Sequence, residues 1–328
     1  MPERVLITGA SGFVGSHIAQ TFAEAGYEVR CGVRASSSER WIPDLERIPL
    51  DMTGQTKEFS RAVENIDLVV HAAGITRARR AADYHTVNAG GTRKLAAAAL
   101  EAGVRRFVLI SSLAARGPDE LARDGRDHPE SAYGRSKLEA EASLRGFDER
   151  MEAVALRPAG VYGPRDTDLL PLFKMAGAGF LLLPSGKGVL QPVYAEDVAR
   201  AALAAGTRAA REAPGFGPFP VAEAARYDWG EVVGGLQRAV GRRVRAARVP
   251  AAAFTLAGRA AELAARPLSA IPVFDERRGR DLAVRTWTCD TSATERALRW
   301  RAEVPLFEGL ERTARWYRQV GWLSMKSG

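Results

Sequence analysis

The chain has 328 residues, of which 46% are apolar and 26% charged, and it contains two cysteines, Cys31 and Cys289. Such a composition excludes a chain disordered throughout, a disulfide scaffold and a multi-cysteine zinc site. The net charge is +8, yet the arginines are scattered among acids, and the densest groups, Arg77–Arg80 and Arg242–Arg245, lack interleaved aromatics. The charge therefore points to an anionic cofactor rather than to nucleic acid. No apolar run approaches the roughly 20 residues of a membrane span. The start has no apolar stretch behind a basic segment, so the expectation is a cytoplasmic protein without a membrane partner.

In chain order, Arg4–Thr8 reads as a strand, Gly15–Ala25 as a helix and Glu28–Val33 as a strand. Ile66–Ala72 is a further strand, Thr86–Ala102 a helix, Arg106–Ser111 a strand, Ser131–Arg150 a long helix and Glu152–Arg157 a strand. Strands alternating with helices predict an α/β fold, a Rossmann-type doubly wound parallel sheet. From Pro158 to Gly188 glycines and prolines punctuate a loop-rich stretch. Val193–Ala205 is a last strand-to-helix piece. Trp229–Val240, Pro250–Arg266 and Pro305–Val320 read as helices, and Arg285–Thr288 as a short extended run. The expected division is a nucleotide domain of residues 1–165 plus 188–222. A smaller mixed substrate lobe takes 166–187 plus 223–328.

The segment Gly9-Ala10-Ser11-Gly12-Phe13-Val14-Gly15 joins the first strand to the first helix. Gly9 permits a tight turn, Gly12 lets backbone approach a pyrophosphate, and Gly15 lets the helix pack close to the strand. Tyr133 and Lys137 stand four apart, on one face of a helix. An ammonium beside a phenol favours the phenolate and readies it for proton transfer at working pH. The four histidines show no ligand spacing with one another or with the cysteines, so no metal is expected.

These motifs occur with His71-Ala72-Ala73-Gly74, Asn88-Ala-Gly-Gly91, Ser111-Ser112, Tyr133-Gly-Arg-Ser-Lys137 and Arg157-Pro158-Ala-Gly-Val161-Tyr162-Gly163-Pro164. Together they resemble the extended short-chain dehydrogenase/reductases, the NAD-dependent epimerase/dehydratase superfamily, over nearly the whole chain. The look is nearest to dihydroflavonol-type reductases and 3β-hydroxysteroid dehydrogenases. The resemblance implies Tyr133 as acid/base, Lys137 as the group that tunes it and holds the nicotinamide ribose, and Ser112 as the residue orienting the substrate oxygen. It implies a cofactor cradle of Gly9, Ser11, Gly12, Phe13, Val14, Gly15, Arg34, Asp51, Met52, Ala72, Ala73, Gly74, Asn88, Ser111, Tyr133, Lys137, Pro158 and Val161.

The second strand ends in Val33-Arg34 where NAD-preferring relatives carry a carboxylate for the ribose 2′-OH. A guanidinium there suits a 2′-phosphate, so NADP(H) is the expected cofactor, with NAD(H) as the alternative. Leu113-Ala114 follows Ser112, where the family's dehydratases place an acidic pair, so dehydration is not expected. Leu190-Gln191-Pro192 stands where sugar-nucleotide epimerases usually carry a diphosphate-binding arginine. Arg277–Arg280 keeps the epimerase reading open as an alternative to a carbonyl reductase acting on a small molecule. Phe173, Met175, Phe180–Leu183 and the Ala251–Ala265 helix read either as an apolar substrate pocket or as the core of the small lobe. A third reading, a non-catalytic NADP-sensing regulator, fits poorly with a chain that keeps Ser112, Tyr133 and Lys137. The resemblance also implies a homodimer, paired through Thr86–Ala102 and Ser131–Arg150. Small residues such as Ala96–Ala99, Ala140 and Ala142 would allow close helix approach there.

Overall fold

The computed structural model describes residues 2–145, 150–185, 188–207, 216–250, 252–253, 256–257, 259–260 and 286–324. The first strand, β1 (Arg4–Thr8), enters the centre of a seven-stranded sheet. The sheet continues with β2 (Glu28–Val33), β3 (Glu46–Pro49), β4 (Leu68–His71), β5 (Arg106–Ile110), β6 (Glu152–Pro158) and β11 (Phe219–Val221). Its order is β11-β6-β5-β4-β1-β2-β3 and every pairing is parallel. Chain order reverses direction at β1, so a crevice opens beyond the carboxyl ends of β1 and β4. Both faces of the sheet are covered, which is why its central strands are apolar on both sides. Val5 and Ile7 point into one layer, and Leu6 into the other. The first layer carries α1 (Phe13–Glu24) and α7 (Ala195–Gly206). The second carries α2 (Thr56–Ala62), α4 (Gly91–Glu101) and α5 (Ala132–Ala142).

The helix predicted over Thr86–Ala102 starts earlier and is not uniform. A short α3 (Ala81–Tyr84) runs into a π-turn over His85–Gly90 and then into α4. Single π-turns within helices commonly mark functional sites, and this one carries Asn88 inward. The helix predicted to reach Arg150 closes as α5 at Ala142. Ala96, Ala99 and Ala140, expected to face a symmetry mate, are buried in the subunit's own core, because the inward stripes of α4 and α5 pack on the sheet.

The second lobe uses short strands in pairs. β7 (Gly160–Tyr162) pairs with β10 (Pro192–Tyr194), and β8 (Phe180–Pro184) pairs with β13 (Arg245–Val249), both parallel. β9 (Val189–Leu190) pairs antiparallel with β12 (Tyr227–Asp228). These pack with α6 (Leu170–Gly177), α8 (Trp229–Val240) and α10 (Leu306–Gln319) around Phe173, Leu181, Leu183, Tyr194, Leu236, Leu310 and Tyr317. The apolar run expected either to line a pocket or to be core thus divides. Phe173, Leu181 and Leu183 are core, whereas Phe180 and Leu182 face outward. The predicted helix Pro250–Arg266 is described only in part, and Arg277–Arg280 lies outside the described residues.

Two buried carboxylates join the lobes. Asp197, in the first turn of α7, accepts the backbone N–H of Glu303 at 2.9 Å and of Val304 at 3.1 Å, and pairs with Arg200. Glu223 accepts Leu306 N–H at 3.1 Å and the Tyr227 hydroxyl. Between these anchors and β11, α9 (Ser292–Leu298) and Trp300 return to the nucleotide side, where Leu298 and Trp300 enter the core beside α7.

Candidate active site

The turn after β1 is shaped by close approach. Gly9 adopts φ +70°, and a Cβ there would lie 2.7 Å from the backbone nitrogen of Ala73. A Cβ on Gly15 would lie 2.1 Å from Gly9 O. Only glycine fits either place. Gly12 caps α1 without a side-chain hydrogen bond, and the first turn holds no acid. Unfilled N–H groups at a helix start, reachable past Gly12, suit a pyrophosphate. The residues present therefore fit a dinucleotide, with Ser11, Phe13 and Val14 completing the loop.

Beyond the strand ends a buried polar chain ties this loop to the helix bearing Tyr133. Thr8 Oγ1 lies 2.7 Å from His71 Nδ1 and accepts Ala73 N–H at 3.1 Å. His71 Nε2 lies 2.9 Å from Thr92 Oγ1, which donates to Asn88 O at 2.5 Å. Because the Thr92 proton is committed, Thr92 accepts from Nε2–H, and His71 Nδ1 accepts from Thr8. Burial, with the Lys137 charge beside it, lowers the His71 pKa to about 3, so the ring is neutral. Asn88 Oδ1 accepts Ile75 N–H at 2.8 Å, and its amide donates to Ser136 Oγ at 2.9 Å. Ser136 Oγ donates to Tyr133 O at 2.7 Å. Sequence reading placed Asn88 at the cofactor but gave no role to Thr8, Thr92 and Ser136, which stand inside or beside the same motifs, since a hydroxyl's partners are set only by folding.

Lys137 is buried, and its ammonium donates to Ile110 O at 2.7 Å. A Cβ on Gly74 would sit 3.7 Å from Lys137 Nζ and 3.0 Å from Asn88 Oδ1, so Gly74, Asn88 and Lys137 converge. Burial pushes the Lys137 pKa down to about 8, against the raising influence of Glu141. Tyr133 is half-buried, its ring edge-on to Tyr84 at 6.1 Å between centroids. A Cβ on Gly134 would lie 2.3 Å from Ala114 O, so the first turn of α5 presses on the turn that follows Ser112. Ser112 is half-buried and accepts Ala114 N–H at 3.2 Å, leaving its own hydroxyl proton to give.

Ser111, expected among the cofactor contacts, turns its hydroxyl away, donating to Glu141 at 2.5 Å. Arg157 grips Glu141 through Nε at 2.9 Å and Nη2 at 2.6 Å, and Asp127 through Nη1 at 2.6 Å and Nη2 at 2.7 Å. Burial would lower the Arg157 pKa, but these bonds outweigh it and raise it. The signal in the sequence was a charged residue ending an otherwise apolar strand, Ala153-Val-Ala-Leu-Arg157.

At the far end of the crevice Val33 is buried and Arg34 exposed. Asp51 is held below the usual carboxylate range by Thr53 hydrogen bonds and, further, by the Arg34 charge. Met52 is buried under Gly91, where a Cβ would meet Met52 Cβ at 2.7 Å. Pro158 ends β6 and Val161 sits in β7. Among the described residues no group of His, Cys, Asp or Glu could hold a metal ion.

The family model of the NAD dependent epimerase/dehydratase family matches residues 5–216. The chain belongs to this family. It is accordingly an enzyme of the NAD(P)-dependent oxidoreductase and epimerase kind. It is 31% identical to a ceramide reductase of Caulobacter vibrioides, over 97% of this chain and 96% of that protein. It is 33% identical to a UDP-glucose 4-epimerase of Vibrio cholerae, over 50% of this chain and 53% of that protein. The fold is shared with the crystal structure of a UDP-glucose 4-epimerase of Thermotoga maritima, with TM-score 0.77 and 22% identity over 97% of this chain and 99% of that one.

Against this family background Gln191 stands out. Its side chain is buried, donating to Glu223 O at 2.7 Å and accepting Cys289 N–H at 2.8 Å. The position where an epimerase's diphosphate-binding arginine was sought is thus part of the joint between the lobes.

Proposed function

We propose that this family member transfers hydride reversibly between NADP(H) and a ketone or secondary alcohol on an apolar substrate. The reading is carried by the meeting of Tyr133, Lys137 and Ser112 beside the glycine loop. A bound nicotinamide dinucleotide supplies or accepts the hydride. Ser112 donates a hydrogen bond to the substrate oxygen. Tyr133 gives its hydroxyl proton to that oxygen as it becomes an alcohol, and takes it back in the reverse direction. The Lys137 ammonium stabilises the phenolate left behind. Arg34, exposed beside the loop, is assigned to the 2′-phosphate, with Asp51 and Met52 at the adenine.

Two observations favour a carbonyl over a sugar diphosphate. Gln191 is committed internally, and a relative aligned along 97% of the chain is a ceramide reductase. Part of the reading is a homodimer through the outward residues of α4 and α5, such as Arg93, Ala97 and Ala142. The test is NADPH consumption with a panel of long-chain ketones. Tyr133→Phe is expected to lower turnover by about 10²- to 10⁴-fold while leaving NADPH affinity intact. Unchanged turnover would remove Tyr133 from the chemistry. Interconversion of a UDP-sugar without net cofactor turnover would replace the reductase reading with the epimerase one.

A further inference from the structure

The β8–β13 pair has two faces. In its parallel register Phe180 aligns with Arg245, Leu182 with Ala247 and Pro184 with Val249. Alternation sends Leu181 and Leu183 into the lobe core and leaves Phe180 and Leu182 outside, 47% and 44% exposed. Two large apolar side chains side by side on an outer strand face are unusual for a surface that meets only water. Arg245 adjoins Phe180 across the pair, and Arg242 and Arg243 stand in the turn just before β13. All three are exposed, and among the described residues none forms an ion pair. Arg242 Nη1 donates to Gly177 O at 3.1 Å, which pins it beside the start of β8. A shallow cavity of about 320 Å³, lined by Gln237, Arg238, Gly241, Arg242 and Arg243, lies next to this edge. No acid occurs between Met175 and Ser185 or between Val232 and Val249.

We propose that this face docks on an anionic lipid bilayer. Phe180 and Leu182 enter the interfacial layer, and Arg242, Arg243 and Arg245 meet lipid phosphates, one of them received by the cavity beside Arg238. The apolar pair offers no hydrogen bond to a peptide or base edge, which argues against an acidic protein or nucleic acid. A second copy of this chain related by a two-fold axis would set arginines against arginines. Composition and helix periodicity argue against a membrane partner, but they do not register a five-residue strand. Among the described residues no helix is long and apolar enough to cross a membrane, so the contact is peripheral. The proposal stands independently of the substrate reading, because binding is measured without turnover.

The experiment is flotation of the full-length enzyme with phosphatidylcholine vesicles, with and without phosphatidylglycerol. Binding is expected only with phosphatidylglycerol, and it weakens as salt rises. Arg242→Ala with Arg243→Ala is expected to weaken it about thirtyfold, the equivalent of about 1 kcal/mol per arginine. Phe180→Ser with Leu182→Ser is expected to weaken it about tenfold or more. Both double variants should keep the parent's NADPH affinity, which shows them folded. No binding to phosphatidylglycerol vesicles, equal binding to both vesicle types, or double variants that bind like the parent would each overturn the proposal. So would tighter binding to an oligonucleotide, or a parent dimer that falls apart in Phe180→Ser/Leu182→Ser.

Discussion

The ends of the central strands and the joint between the lobes both bury polar groups, to different ends. In the nucleotide lobe Thr8, His71, Ser111, Lys137, Glu141 and Arg157 are all buried, and all gather at the carboxyl ends of the central strands. At the joint between the lobes the buried carboxylates Asp197, on α7 of the nucleotide lobe, and Glu223 cap backbone N–H groups of residues 303–306. Buried polarity costs stability unless it is fully paired. The first set holds a lysine and a tyrosine in place. The second set holds one lobe to the other. Damage to the first should therefore be read in chemistry, and damage to the second in stability and interlobe motion.

The largest expected effect follows from Glu141→Ala. It strips Arg157 of one of two carboxylates and leaves Ser111 without its acceptor. Breaking a buried pair typically costs about 3–5 kcal/mol, and Asp127, still bonded to Arg157, puts the expectation near the lower end. Urea unfolding measures it. Glu141→Leu combined with Arg157→Leu should recover much of that stability, while turnover stays low because Lys137 and Ser111 lose their setting. Full activity in the double variant would show the cluster to be packing alone.

Asp197→Ala tests the joint between the lobes. Loss of a charged acceptor for two backbone N–H groups is expected to cost about 2–3 kcal/mol. Amide exchange should rise over residues 298–306 while NADPH affinity stays unchanged. A variant that loses NADPH binding instead would erase the division of labour between the lobes.

The sequence showed one lobe more clearly than the other for a physical reason. Parallel strands buried on both faces are continuous apolar runs, so β1 and β2 were placed with the ends they have. The glycines at 9 and 15 must be glycine for steric reasons and could be read as such. The pairs β8–β13 and β9–β12 join segments dozens of residues apart, and strands of two to five residues leave no periodicity to read. In the site, the motifs gave Tyr133, Lys137 and Asn88 their roles. The hydroxyls of Thr8, Thr92 and Ser136 matter only through partners that folding brings together. Trp41 is similar: its ring packs at a tilt against Trp316, 5.0 Å between centroids, joining the β2–β3 loop to α10, and nothing local announces it.

Arg34 sharpens the comparison at the cofactor. A charge-assisted contact to a 2′-phosphate is worth about 1.5–3 kcal/mol, so NADPH should bind about 10- to 150-fold tighter than NADH. Arg34→Ala should remove most of that preference and leave NADH affinity as it was, since the Gly9–Gly15 loop serves both. Val33→Asp should favour NADH. Titration of both reduced cofactors decides it, and equal affinities in the parent would end the NADP assignment.

Lys137 predicts a pH limb. With its pKa down at about 8, the ammonium loses its proton above that pH. The value of kcat/KM, which reports groups of the free enzyme, should then fall about tenfold per pH unit on the alkaline side. A flat profile to pH 10 would mean that the charge is not needed.

His17 gives the smallest effect and tests the joint from the acid side. It sits on α1, with Nε2 2.9 Å from Pro164 O at the entry to the second lobe. The neighbouring Arg165 donates to Gln20 at 2.7 Å. Burial and the Arg165 charge lower the His17 pKa to about 4, although the Pro164 bond opposes them. The unfolded chain holds a proton on this ring below pH 6.5, where the folded protein does not. Unfolding therefore takes up a proton between pH 6.5 and 4, and stability falls as pH falls through that window. Over the first pH unit the loss is about 1 kcal/mol per such histidine. His71 adds a similar slope from the site, continuing to about pH 3. His17→Gln should flatten the curve by one histidine's share without altering kcat at pH 7, because the ring touches a lobe joint rather than the reacting group. A curve of unchanged steepness in His17→Gln would mean that His17 takes up no proton on unfolding, and the acid sensitivity would then belong to the buried chain around His71.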